Sequence, residues 1–158
     1  AAIQAADPAA RIVLIAGHDP GWTDAVLRRM ERCPGLDPGR LHVVPRQPHD
    51  RFLALLRLAD ACLDSFHFGG ANTTYQSLAL GIPVVTLPGA FMRGRQTLAI
   101  LRAAGLTELV AEDAADFAAR AVRAAGDSGL RDRVTAGAAS LTADRRFLDA
   151  AVATLLRD

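Results

Sequence analysis

Two short apolar runs, separated by a glycine-rich loop and one helix-length segment, constrain this chain more than any other feature. The first run spans residues 60–63 and feeds a loop containing Gly69 and Gly70. The loop opens a helix near Thr73, the helix stops at Gly81, and the second run follows over residues 82–87. Strand, loop, helix and strand in that order give parallel strands, because the connection crosses over instead of turning back. Backbone N–H groups at such a helix start lack intrahelical partners and carry partial positive charge. They suit a phosphate or diphosphate.

The same alternation runs through the rest of the sequence. Residues 11–17 are a β-branched apolar run ended by glycine and predict a buried strand. Residues 23–33 predict a helix with Ala25, Val26, Arg29 and Met30 at helical spacing, and residues 34–38 a turn. A strand over 41–44, a helix over 49–58 with Phe52, Leu53, Leu55 and Leu56 inward, and a strand over 61–63 follow. After the helix at 73–80 and a strand at 84–87 come a helix at 96–104 stopped by Gly105, and a short strand at 109–111. Asp113 is placed to cap a helix with Phe117, Ala121 and Val122 inward, and Leu130, Val134 and Ala138 continue at spacing four in another. Residues 144–156 predict a last amphipathic helix bearing Leu148, Val152, Leu155 and Leu156. The expected fold is α/β, a Rossmann-like, mainly parallel sheet with helices on both faces and right-handed crossovers. Ligands of such sheets bind at the carboxyl ends of the strands, where residues 45–49, 65–72 and 88–95 form loops.

Bulk properties narrow the function. At 158 residues, 51% apolar and 22% charged, the chain fits one globular domain, 1–158. No apolar run is long enough for a membrane helix, and the start has neither a signal peptide's basic region nor an initiator methionine. A fragment of a longer cytoplasmic chain is therefore expected. The net charge of +1 gives no basic face for nucleic acid. The basic residues are all arginine, a usage typical of high-GC bacterial genes. Cys33 and Cys62 have no paired spacing and are expected to be reduced thiols. No His, Cys and Asp cluster has metal-ligand spacing, no nucleophile-elbow or Walker motif is present, and no pair of close carboxylates has an acid–base role. Asp60 and Asp64 flank a strand and are expected to serve local capping.

The candidate binding residues lie on the three loops. Asn72 is a good N-cap, and Thr73 and Thr74 add two hydroxyls to the free amides; plain capping, the commoner use of such residues, explains them too. Arg93 and Arg95 follow a strand, in a loop where Gly89 and Gly94 permit turns, as phosphate or sugar ligands or as solvated charges. His49 is suited to a flat base and Arg46 to a phosphate, against the bland alternative of surface residues. Gln76 and Ser77, one turn into the phosphate helix, suit ribose hydroxyls or simple solvation.

With these residues the chain resembles the donor-binding half of the O-linked N-acetylglucosamine transferase family, the SPINDLY-like group, which includes many bacterial proteins with TPR repeats. The likeness runs over about residues 11–156. It is strongest in Val44-Pro45-Arg46 with His49, in residues 58–64, in Asn72-Thr73-Thr74, in residues 81–89 and at Arg95. It implies the C-terminal half of a GT-B fold, an inverting glycosyltransferase in which a UDP-sugar lies between two Rossmann-like domains. Thr73 and Thr74 would bind the diphosphate, with Asn72 where the eukaryotic enzymes often have His. Arg46, replacing a frequent Lys, and His49 would lie in the uridine pocket. Arg95 keeps its place. The family commonly has an acidic residue at Gln76 or Ser77, and here neither is acidic, so a stronger acceptor for ribose is lost. The resemblance implies no metal or other cofactor, a protein or glycan hydroxyl as acceptor, and an N-terminal GT-B domain that supplies acceptor recognition and any base. This domain alone is expected to be inactive, and its catalytic residues are not assigned. Two other readings are a nucleotide-sugar 2-epimerase, which calls for acidic and His residues around the sugar, and a non-catalytic α/β interaction module of flavodoxin-like form.

Overall fold

The computed structural model describes residues 1–143; the helix expected over 144–156 lies outside them. Its elements are α1 (Ala2–Ala6), β1 (Ile12–Ile15), α2 (Pro20–Glu31), β2 (Leu41–Val44), α3 (His49–Leu56), β3 (Cys62–Leu63), α4 (Asn72–Ala79), β4 (Val84–Val85), α5 (Gln96–Ala103), α6 (Ala114–Gly126) and α7 (Ser128–Ala143). Single 3-10 turns precede β2, α5 and α6.

All strand pairing among the described residues is parallel, as a strand–helix alternation requires. β1 pairs with β2 from Ile12–Leu41 to Ile15–Val44, and β3 pairs with β4 through Cys62–Val84 and Leu63–Val85. The strand expected at 109–111 contracts to one bridge between Thr86 and Val110. The cause is local: Thr107–Leu109 coils into a 3-10 turn, and Asp113 already caps α6 by accepting the Asp116 amide at 2.8 Å. Little chain is left to extend between them.

Helix α2 starts three residues before the sequence expectation. Asp19 accepts the Gly21 amide at 2.8 Å and Pro20 takes the first helical position, where its missing N–H costs nothing. α4 and α5 both end in left-handed glycines, Gly81 at φ 74° and Gly105 at φ 71°. At Gly81 the Ile82 amide returns to the Ser77 carbonyl and the Gly81 amide to Leu78, so the last carbonyls of the helix are met. Leu78, Val85, Leu101, Leu109 and Val134 form the centre of the core, where α4 packs on α7. Burial of each large side chain there contributes roughly 2–3 kcal/mol. α1 packs on α6.

Candidate functional site

The loop between β3 and α4 is built around Asp64, which is buried. Its Oδ1 accepts the Gly70 amide at 2.7 Å and the Ser65 amide at 3.1 Å, and its Oδ2 accepts the Thr86 hydroxyl at 2.7 Å. The other end of Gly70 is held too: its carbonyl lies 3.0 Å from the Thr74 hydroxyl and 2.9 Å from that of Thr97, and those two hydroxyls are 3.0 Å apart. Glycine suits both positions because of close approach. A Cβ on Gly69 would stand 3.0 Å from Asp64 Oδ2, and one on Gly70 3.0 Å from Thr74 Oγ1.

Because Gly70 is gripped at both ends, the chain enters α4 one residue earlier than the sequence suggests. Ala71 is the N-cap and no side chain caps the helix; Asn72 is its first residue and is exposed. This corrects the expectation that Asn72 caps it. The Tyr75 amide bonds the Ala71 carbonyl at 3.1 Å, whereas the amides of Asn72, Thr73 and Thr74 meet no acceptor among the described residues. Beside them is an open cleft of about 380 Å³, lined by Asp64, Gly69, Gly70, Ala71, Thr73 and Thr74 among others. Thr73 is exposed. Thr74 is almost fully buried and its hydroxyl is engaged inside the loop, so its contribution at the cleft is its backbone.

The loop over 88–95 is fastened to the first. The Gly69 amide donates to the Arg93 carbonyl at 2.7 Å, and the Gly89 amide to that of Gly94 at 3.0 Å. Gly89 and Gly94 serve close approach and not left-handed turns: neither has positive φ, and a Cβ on them would stand 3.2 Å and 3.0 Å from the Phe66 carbonyl. The Phe66 ring packs edge-on against core Phe117 at 5.0 Å, which anchors the first loop from below. Arg95 Nη1 donates to the Gly89 carbonyl at 3.0 Å, bracing its own loop, and the Arg93 guanidinium lies 4.8 Å over the Phe91 ring. A second hollow of about 460 Å³ opens beside Phe66, His67, Phe91 and Arg93.

The remaining candidates differ in where they lie. Arg46 precedes α3 and His49 is its first residue; both are exposed and line neither hollow. Gln76 is half-buried. Ser77 lines the cleft with Thr73 and Thr74, but it is fully buried and its hydroxyl is taken by Cys62 Sγ at 3.6 Å. Burial pushes the Cys62 thiol pKa up, and the Ser77 hydrogen bond only partly opposes it. Sequence reasoning missed Asp64, Thr86 and Thr97 as builders of the loop. The available signal was an acid closing an apolar run just ahead of Gly-Gly, with a single hydroxyl, Thr86, inside the next apolar run. Among the described residues no group of three or more His, Cys, Asp or Glu is arranged to hold a metal ion, and no helix is long and apolar enough to cross a membrane.

Comparison with known proteins shows the family. Over residues 9–151 the chain matches the model of glycosyl transferase family 41. It is 35% identical over 95 residues, 59% of its length, to a probable UDP-N-acetylglucosamine–peptide N-acetylglucosaminyltransferase SPINDLY of Petunia hybrida. It is 35% identical over 97 residues, 60% of its length, to a UDP-N-acetylglucosamine–peptide N-acetylglucosaminyltransferase of Caenorhabditis elegans. The chain spans only 10% and 8% of those two proteins. A solved structure of a mutant O-GlcNAc transferase from Thermobaculum terrenum superposes with a TM-score of 0.74 at 32% identity, covering 91% of this chain and 31% of that one. The family match extends over nearly the whole chain and includes both fastened loops: the chain belongs to glycosyl transferase family 41.

Proposed function

We propose that this domain holds the UDP-sugar donor of an inverting, O-GlcNAc transferase-like glycosyltransferase, with the diphosphate at the start of α4. The observation that carries the reading is the set of three unpartnered amides, Asn72 to Thr74, beside an open cleft whose glycine loop is already rigid. Asp64 takes the Gly70 amide for itself, so the anion is left those three amides and the exposed Thr73 hydroxyl. Negative charge grows on the UDP leaving group as the glycosidic bond breaks. Fixed donors and the positive end of a helix favour that state without reorganising. In this reading Arg46 and His49 meet the uridine, Gln76 the ribose, and the diphosphate needs no metal. Arg95 keeps the second loop in place. Ser77 contributes only through packing.

The acceptor, a protein or glycan hydroxyl, and the group that deprotonates it belong to an N-terminal GT-B domain outside this chain, so the domain alone binds but does not transfer. The resemblance extends the reading to a cytoplasmic bacterial parent with TPR repeats. Nothing in the site favours an epimerase or a ligand-free module.

Calorimetric titration with UDP, GDP, ADP and uridine tests the donor site. UDP is expected to bind at least about tenfold tighter than uridine, because charge-assisted hydrogen bonds contribute roughly 1.5–3 kcal/mol. Thr73→Ala should weaken UDP several-fold and leave uridine unchanged, and adding Thr74→Ala should weaken it further by loosening the loop. A chelator should change neither affinity. UDP binding no better than uridine would remove the diphosphate from the start of α4.

A further inference from the structure

We infer that Asp64 is a positioning residue for the diphosphate: it touches no ligand itself but sets the direction of the amides that do. The inference rests on the donor-site reading above. A buried carboxylate directly behind a phosphate loop opposes an anion by charge, so its presence calls for a compensating role. The geometry supplies one. Both carboxylate oxygens are engaged, Oδ1 by the Gly70 and Ser65 amides and Oδ2 by Thr86. Gly70 is two residues before Asn72, and its peptide orientation decides how Ala71 enters α4.

Thr86 makes the arrangement stiff. Its amide bonds the Leu109 carbonyl at 3.1 Å, and its carbonyl accepts the Ala111 amide at 2.8 Å, so its hydroxyl is fixed to the sheet. Asp64 therefore transmits the position of the sheet to the glycine loop. Thr97, on α5, fixes the Gly70 carbonyl from the other side. With the N–H of the 69–70 peptide and the C=O of the 70–71 peptide both held, neither peptide flanking Gly70 can flip. The three free amides that follow stay aimed at one point, which is pre-organisation of an anion site. Asparagine at position 64 keeps the required pattern: its carbonyl accepts the Gly70 amide, and its NH2 donates to Thr86 Oγ1 after the hydroxyl rotates.

The test uses the 158-residue chain and two readouts, amide hydrogen exchange and titration with UDP beside uridine. Asp64→Ala should speed exchange at Gly70 at least about tenfold and weaken UDP about tenfold while uridine is unchanged, the loss of a charge-assisted bond. Asp64→Asn should restore both to within about threefold of wild type, and Thr86→Val, which removes only the hydroxyl and keeps the side-chain shape, should give a smaller loss of about threefold. If Asp64→Ala unfolds the chain, Thr86→Val and Asp64→Asn still decide the point. Unchanged Gly70 exchange and unchanged UDP affinity in these variants would overturn the role and leave the donor-site reading standing. Equal losses of UDP and uridine, or Asp64→Asn as weak as Asp64→Ala, would overturn it in favour of general packing or of charge. Wild-type chain that ignores UDP while Gly70 protection still depends on Asp64 would overturn the role toward diphosphate by removing the reading beneath it, with the loop geometry intact.

Discussion

Residues 9–58 and residues 59–143 are built from similar sequence signals and end up packed differently. Both have short β-branched runs paired in parallel, joined through helices. In the second region both residues of β4 are buried, whereas in the first Val13 is 50% exposed, Val43 39% and Trp22 69%. No residue of α2 is buried, and Leu56 is the one buried apolar side chain of the described residues before Leu78. The difference does not lie in the strands, because Ile12–Ile15 is as apolar as β4. It lies in what covers them. α2 carries Asp24, Arg28, Arg29 and Glu31, while α6 offers Phe117, Ala118, Ala121 and Ala124 as one continuous buried face. A strand's hydropathy sets its conformation, and its helices decide whether it joins a core. For binding, the division means that the diphosphate end of the proposed site stands on the firm region and the uridine end, Arg46 and His49, on the open one.

Truncating one side chain in each region separates the two most strongly. Leu101→Ala, at a fully buried position, should cost about 2–5 kcal/mol in urea unfolding, from lost transfer energy and a residual cavity. Val13→Ala should cost roughly 1 kcal/mol or less, because half of the side chain is already in water. Similar costs at the two positions would show that the first region is covered as well as the second. A smaller effect tests the fastening between regions. Gln4, on α1, is buried and holds the Asp37 backbone twice, accepting its amide at 2.9 Å and donating to its carbonyl at 3.3 Å. Because α1 packs on α6, Gln4 links the turn before β2 to the firm region. Gln4→Ala should cost about 1–3 kcal/mol through these unmade bonds. Hydrogen exchange should place the loss in β1 and β2; faster exchange in α6 would mean that the two regions open as one unit.

Apart from α1, which the sequence reading did not anticipate, and the strand at 109–111, which shrank to one bridge, the sequence made the order of elements legible and their ends less so. Parallel pairing, the C-terminal glycines at 81 and 105 and the Asp113 cap follow from local chemistry, and local chemistry is what a sequence displays. Asp-Pro at 19–20 carried the true start of α2, but the apolar spacing from Ala25 onward drew the boundary inward. The site was legible as a place and not as a mechanism. Gly69, Gly70 and Thr73 were visible because a glycine-rich helix start has a local pattern. Asp64, Thr86 and Thr97 were not, because their hydrogen bonds reach across 22 and 27 positions and depend on how the sheet and α5 meet. The engagement of Ser77 was hidden for the same reason: position along a helix tells the face, and only the packing of β3 against it tells that Cys62 takes this hydroxyl.

Acid offers the mildest probe of the same division. Asp37, in the first region, and Asp116, in the second, each accept an arginine Nε, Arg40 at 2.8 Å and Arg120 at 2.7 Å. The arginine hydrogen bond is the largest cause holding each carboxyl below its ordinary value of 3.8, with a backbone amide, Gly39 or Glu112, next. A carboxyl whose folded pKa is depressed contributes stability above its unfolded pKa and loses it as pH falls through the folded one, so both contributions fade below about pH 4. Asp37 is exposed and Asp116 half-buried, and both effects are small. Their consequences differ by region. Protonating Asp37 weakens the turn that Gln4 pins, and the open sheet above it has little burial in reserve. Protonating Asp116 weakens the first turn of α6, which Phe117 and Ala121 keep in the core regardless. As pH falls from about 5 to about 3, the amides of β1 and β2 should therefore gain exchange, corrected for intrinsic pH dependence, before those of α6. Asp37→Asn should flatten that response in β1 and β2, whereas Asp116→Asn should leave it in place. Simultaneous opening of both regions in wild type would mean that Gln4 couples them more tightly than the exposed strands suggest, and the two regions would then be one cooperative unit.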